Sequence, residues 1–121
     1  MLLVKTKIDK STIPDAGLGL FADEFIPKGT KIFEEDNLSI KIEKEDLFKY
    51  NERELSYINK YCYRRGDTIY CSMDNDKFTN HSDEPNVYED GPCTYAKVDI
   101  QSGEEILTDY RQLVCEIHSF K

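Results

Sequence analysis

Phe78-Thr79-Asn80-His81-Ser82-Asp83-Glu84-Pro85-Asn86 is the stretch on which the fold of this chain turns. Taken as chemistry alone it is a bend-forming run, because Ser, Asp and Asn bond nearby backbone groups through their side chains and Pro fixes its own φ. Asn80 and His81 add two polar side chains able to donate and to accept. A lone histidine is more often a structural hydrogen-bonding residue than an acid–base catalyst. Further along, Gly103-Glu104-Glu105-Ile106-Leu107-Thr108-Asp109-Tyr110 runs from a glycine turn into a short strand that ends in Asp-Tyr. Toward the N-terminus, Gly17-Leu18-Gly19-Leu20-Phe21-Ala22 is a glycine turn followed by apolar residues. Two glycines one residue apart are a weak signal by themselves, and without a third glycine before a helix they are no dinucleotide fingerprint.

In this order, and covering nearly the whole chain, the three stretches resemble the SET domain. The first is similar to that family's motif of an aromatic, any residue, Asn-His-Ser, two spacer residues and Pro-Asn. The resemblance implies a mostly β fold of the β-clip type, with several small curled sheets, short helices and a C-terminal pseudoknot threaded under a preceding loop. Such threading is rare among folds. Periodicity alone would leave a small barrel or sandwich equally open. The resemblance also implies a protein-lysine methyltransferase that uses S-adenosyl-L-methionine. Its cofactor-binding residues would be Gly17, Leu18, Gly19, Asn80, His81 and Tyr110, with Tyr110 as the catalytic residue at the junction of cofactor and lysine channel. Ser82, Pro85 and Asn86 would fix the loop through which the C-terminal segment passes. Compact, stand-alone members, including bacterial ones, are the most similar. Two other readings compete: a non-catalytic SET-like module that binds a protein or the cofactor, and a small all-β domain whose motifs match by chance.

Composition narrows the partners. A chain of 121 residues forms one domain, with a core over about residues 5–112 and a tail at 113–121. Its 24 acidic and 16 basic residues give a net charge of −8, which disfavours nucleic-acid backbones and suits a lysine-containing protein or basic peptide, such as a histone. No apolar run is long enough for a membrane span, and Lys5, Lys7 and Asp9 interrupt the N-terminal apolar residues, unlike a secretory signal. An intracellular protein is expected, cytoplasmic or, in a eukaryotic or viral source, nuclear. Cys62, Cys71, Cys93 and Cys115 lack the paired spacings of a zinc site and are expected as free thiols. No metal is expected, since His118 lies in the tail without ligand partners nearby in sequence. Many SET enzymes carry a zinc-binding cysteine segment after the core; here only Cys115 follows Tyr110, so the residues from Arg111 to Phe120 are the remaining candidate for one channel wall.

Along the chain, residues 2–8 read as an edge strand, residues 14–17 as a turn, and a second strand starts near Leu18. Residues 26–29 form another turn, followed by strands at 30–34 and 38–42. Residues 44–59 are the helical region, best divided in two, with Asn51 and Glu54 as a capping box. Two short strands flank Arg65-Gly66-Asp67 as a hairpin. Of Tyr57, Tyr61, Tyr63 and Tyr70, one or two are expected to line the lysine channel. Glu105 and Asp109 are spaced poorly for a glycosidase pair and are expected to make bonds around the threaded segment. No carboxylate or histidine is placed by the sequence as a base, so the amine is expected to lose its proton to solvent.

Overall fold

The computed structural model describes residues 1–112. The tail at 113–121, with Cys115, His118 and its expected role as a channel wall, lies outside the described residues. In chain order the strands are β1 (Thr6–Lys10), β2 (Leu18–Ala22), β3 (Lys31–Glu34), β4 (Ile40–Glu43), β5 (Tyr63–Arg65), β6 (Thr68–Cys71), β7 (Asn80–His81), β8 (Val87–Asp90), β9 (Cys93–Ala96) and β10 (Leu107–Thr108). Among the described residues, one α-helix, α1 (Glu52–Tyr61), and three short 3₁₀ turns join them: Lys44–Lys49, Asn75–Phe78 and Tyr110–Gln112.

The strands build four small sheets. β1 and β2 form an antiparallel pair, β3-β9-β8 and β4-β6-β5 are three-stranded, and β7 pairs with β10. The glycine turn between β1 and β2 is closed by the Ser11 amide donating to the Gly17 carbonyl at 2.8 Å. Both Asp15 (φ 63°) and Gly17 (φ 75°) adopt the left-handed region there, which glycine enters without steric penalty. β2 does not alternate: Leu20, Phe21 and Ala22 are all buried, because β1 and the Glu105–Ile106 segment cover it on two sides. The edge strand expected at residues 2–8 is split. Leu2 bridges to Phe33 and the Leu3 amide donates to the Ile32 carbonyl, so β1 starts only at Thr6.

Two apolar clusters hold these sheets. Leu20, Ala22, Ile26, Ile32, Val87, Ala96, Ile100 and Ile106 form the larger one. Ile42, Ile58, Cys62 and Ile69 form the smaller, under α1. The helix starts as its sequence requires: Asn51 accepts from the Glu54 amide and Glu54 accepts from the Asn51 amide, both at 2.9 Å. The expectation of four free cysteines is corrected for two of them. Cys62 and Cys71 are joined in a disulfide, with Cα atoms 4.7 Å apart, while Cys93 is free and buried. The hairpin register is the cause, since Tyr63 lies opposite Tyr70 and the next pair outward is Cys62 and Cys71.

The feature that creates a site is the one parallel pairing in the described structure. β10 lies beside β7, with Leu107 opposite Asn80 and Thr108 opposite His81. The loop at residues 82–86 then straps this segment down. Asn86 donates from Nδ2 to the Glu105 carbonyl (2.8 Å) and accepts on Oδ1 from the Leu107 amide (2.9 Å), and the Ser82 amide donates to the Thr108 carbonyl. Sequence-distant motifs therefore meet through backbone pairing. Among the described residues no helix is long and apolar enough to cross a membrane.

Candidate functional site

At the centre of the first half of the site is Glu105, only 6% exposed. Its carboxylate accepts from the Ser11 hydroxyl (2.7 Å), the Thr12 amide (2.7 Å), the Thr12 hydroxyl (2.6 Å) and Asn80 Nδ2 (3.1 Å). Asn80 Nδ2 also donates to the Leu18 carbonyl at 3.0 Å. One amide group thus ties the glycine turn, β7 and the β10 segment together. Gly19 is required by this crowding: a Cβ there would lie 2.4 Å from Glu105 Oε2 and 3.3 Å from Asn80 Nδ2. Gly17 and the adjoining turn border an open hollow. Asn80 Oδ1 has no donor among the described residues and remains available as an acceptor.

Burial by itself pushes the Glu105 carboxyl up, but the Thr12, Ser11 and Asn80 bonds together outweigh it and hold it below its ordinary value. A carboxyl depressed on folding adds stability that is complete above its unfolded value, near 4.3, and is lost as pH falls through the folded one. Glu105→Gln should therefore lower stability by about 1–3 kcal/mol at pH 7. In denaturant melts its deficit relative to wild type should narrow as pH falls below the unfolded value, and a deficit equal to that at pH 7 throughout would show that charge is not what matters there.

The second half is built on His81 and Tyr110. His81 Nδ1 accepts from the Tyr110 amide at 3.0 Å, which leaves the proton of the neutral ring on Nε2, 3.1 Å from Asp83 Oδ1. The ring therefore positions the start of the Tyr110–Gln112 turn. Asp109 is held below its usual range by the Arg111 guanidinium, which grips it from Nε (2.8 Å) and Nη2 (2.8 Å) and fixes the same turn from its other side. The Tyr110 hydroxyl donates to the Thr79 carbonyl at 2.8 Å, and its ring lies 5.3 Å from that of His81.

Tyr110 borders a cavity of about 80 Å³, well above the ~10–15 Å³ that one water needs. Leu20, Val87 and Ile106 give the cavity an apolar wall on the side of the larger core. Of the four upstream tyrosines, Tyr61 and Tyr63 border it; Tyr57 packs behind Tyr61 (ring centroids 4.8 Å) and Tyr70 stacks on Tyr63 (5.4 Å). Tyr63 is fixed by donating its hydroxyl to Glu35 at 2.6 Å, and burial first, then that carboxylate, push its own ionisation far upward. Sequence reasoning missed Glu35, whose partners Tyr63 and Arg65 are remote in the chain. It also missed Asp76, which borders the cavity from the turn just ahead of β7. Among the described residues no group of three or more His, Cys, Asp or Glu side chains could hold a metal.

The SET domain family model matches residues 17–111. No curated protein matches the chain. A solved structure of a candidate histone methyltransferase from Plasmodium falciparum is similar at 28% identity and TM-score 0.64, over 90% of this chain and 95% of that one. Polycomb repressive complex 2 of Chaetomium thermophilum, autoinhibited and bound to S-adenosylmethionine, is similar at 18% identity and TM-score 0.73, over 96% of this chain and 16% of that one. The same complex bound to GSK126 gives 19% identity and TM-score 0.75, over 96% and 17%. This chain thus spans about a sixth of the Polycomb chains it matches, and that likeness concerns the fold.

Proposed function

The chain belongs to the SET-domain family, and from that premise we propose that it transfers a methyl group from S-adenosylmethionine to the ε-amine of a lysine in a protein, a histone or another basic protein. The observation that carries this reading is the β7–β10 pairing, which bonds Tyr110 to His81 beside Asn80, whose amide in turn reaches Leu18 and crowds Gly19. The side chains suit the cofactor, an amino acid carrying a sulfonium and a nucleoside. Asn80 Oδ1 is an acceptor for its ammonium, and the turn at Gly17 and Leu18 offers main-chain groups with no Cβ at Gly17 to hold a ligand off. When bound, that cofactor supplies a methyl group on a positively charged sulfur, open to displacement by an amine.

The residues of the chain then have positional tasks. In-line displacement needs two partners held collinearly in a water-poor site more than it needs a nucleophile from the protein. Asn80, fixed by Leu18 and Glu105, holds one partner; the cavity beside Tyr61, Tyr63 and Tyr110 receives the other. Tyr110, held at its amide by His81 and at its hydroxyl by Thr79, aligns the incoming amine. A net charge of −8 favours a basic partner over long range.

Incubation with isotope-labelled S-adenosylmethionine and purified histones or cell lysate, followed by mass mapping, tests this reading. Label on lysine nitrogen is expected. Cofactor binding without transfer to any protein or basic peptide would replace it with a non-catalytic module, and a well-folded chain that binds no cofactor would end both readings.

A further inference from the structure

Among the described residues two carboxylates border the cavity beside Tyr110, and they differ in how they are satisfied. Glu89 is fully occupied: Thr94 Oγ1 donates to Oε2 at 2.5 Å and Thr108 Oγ1 to Oε1 at 2.9 Å. Asp76 is not. Its Oδ1 accepts from the Ser72 hydroxyl and its own amide adds a minor bond, while no other residue among the described residues donates to the carboxylate. The two lysines at the cavity rim do not neutralise it, since Lys60 lies over the Tyr61 ring (5.1 Å) and Lys77 over the Phe78 ring (5.6 Å), and neither makes a described ion pair with Asp76. A half-buried, partly satisfied carboxylate calls for a cation with N–H groups to donate.

Resting on the methyltransferase reading above, we propose that Asp76 binds the substrate lysine ammonium in this cavity and takes its proton before methyl transfer. An N–H bond of the ammonium breaks and its proton passes to Asp76 Oδ2, leaving the electron pair on nitrogen. That pair forms the new nitrogen–carbon bond as the methyl–sulfur bond breaks, and the electrons of the broken bond stay on sulfur as a neutral thioether. The nitrogen is left as a methylated ammonium with two protons. Asp76 then releases its proton to water.

The environment makes the proton transfer less uphill. Asp76 is pushed up to about 6: burial raises it most, with help from the neighbouring Asp74, against the Ser72 bond, the Met1 ammonium and its own amide. Tyr61, Tyr63, Tyr110 and Glu89 line the same cavity, with the two rim lysines on rings. A lysine free in water ionises near 10.4, and filling an apolar cavity lowers that value because desolvation penalises both charges of the pair. Transfer of one proton removes both.

The test is Asp76→Asn, with methyl transfer to a lysine peptide followed from pH 5 to 10 beside the cofactor-induced thermal shift. Wild-type kcat/KM should rise through about pH 6, the value to which Asp76 is pushed, and then stay level to about pH 9. Asp76→Asn should lose about 100-fold at pH 7 and climb about tenfold per pH unit, the slope of an amine deprotonated by solvent. Its thermal shift with cofactor should be unchanged. Ser72→Ala, which removes the donor to Asp76, should move the acid limb of the profile upward, and this variant decides the matter if Asp76→Asn does not fold. A wild-type profile in Asp76→Asn, or an unmoved limb in Ser72→Ala, overturns the proposal and returns deprotonation to solvent. Failure of the methyltransferase reading itself looks different: wild-type protein would bind cofactor and methylate nothing.

Discussion

Asn80→Ala is expected to remove most of the stabilisation that S-adenosylmethionine gives the folded chain. A ligand that binds only the native state stabilises it by about 2.7 kcal/mol at a hundred times its dissociation constant. At that same concentration a tenfold loss of affinity leaves about 1.4 kcal/mol, and a hundredfold loss leaves about 0.4. The larger loss is expected, because truncation acts at three places together. It removes the bond to the Leu18 carbonyl, so the glycine turn is no longer pinned to β7. It removes a donor from the buried Glu105 carboxylate, whose other donors all come from Ser11 and Thr12. And it deletes Oδ1, the acceptor assigned to the cofactor. Titration calorimetry on a variant shown to be folded measures this directly. An affinity equal to wild type would mean that the ligand is held elsewhere and that Asn80 is only a tie between β7 and the turn.

The parts of this architecture that were legible in the sequence are those governed by local chemistry. The Asn51–Glu54 capping box marked the start of α1 because both of its bonds close within one turn. Gly66, at φ 64°, marked the β5–β6 hairpin because few other residues enter that region cheaply. The Cys62–Cys71 bond was also within reach. A two-residue loop at Gly66-Asp67 sets Arg65 opposite Thr68, and counting outward along the pair brings the two cysteines face to face. The expectation of free thiols rested on composition and compartment instead of on that register.

The pairing of β7 with β10 was legible only through family resemblance. Two-residue strands carry no usable period, and a parallel partner remote in the chain leaves no local trace. Glu105 was expected to make bonds near the threaded segment, but its service to Ser11 and Thr12 depends on where the glycine turn folds back. Asp76 gives no sequence signal, because Asp74-Asn75-Asp76 has the composition of an ordinary exposed turn. Its partial burial arises from packing: the turn Asn75–Phe78 runs against β2, and the Thr79 amide and hydroxyl both donate to its carbonyl. Resemblance to the family located Tyr110, while the bonds that orient it, from His81 and to Thr79, had to be seen in three dimensions.

Tyr110→Phe separates alignment of the amine from mere enclosure of it. The phenyl ring still borders the cavity, and the amide bond to His81 Nδ1 is untouched, so the turn Tyr110–Gln112 should keep its place. What is lost is one hydroxyl, together with its bond to the Thr79 carbonyl, and a single neutral hydrogen bond contributes about 0.5–1.5 kcal/mol to stability. The fold and the cofactor-induced thermal shift should therefore survive. Methyl transfer should not: a preorganised polar group at the reacting centre is worth about 10²–10³ in rate, and kcat for a lysine peptide should fall by about that factor. The number of methyl groups added should change as well, since the hydroxyl limits how the amine and its substituents can turn in the cavity. Single-turnover kinetics with mass detection of each methylated product reads both effects. If a folded Tyr110→Phe protein shows the wild-type rate and product pattern, the aligning hydroxyl belongs to another residue, and Tyr61, which borders the same cavity, is the next to replace.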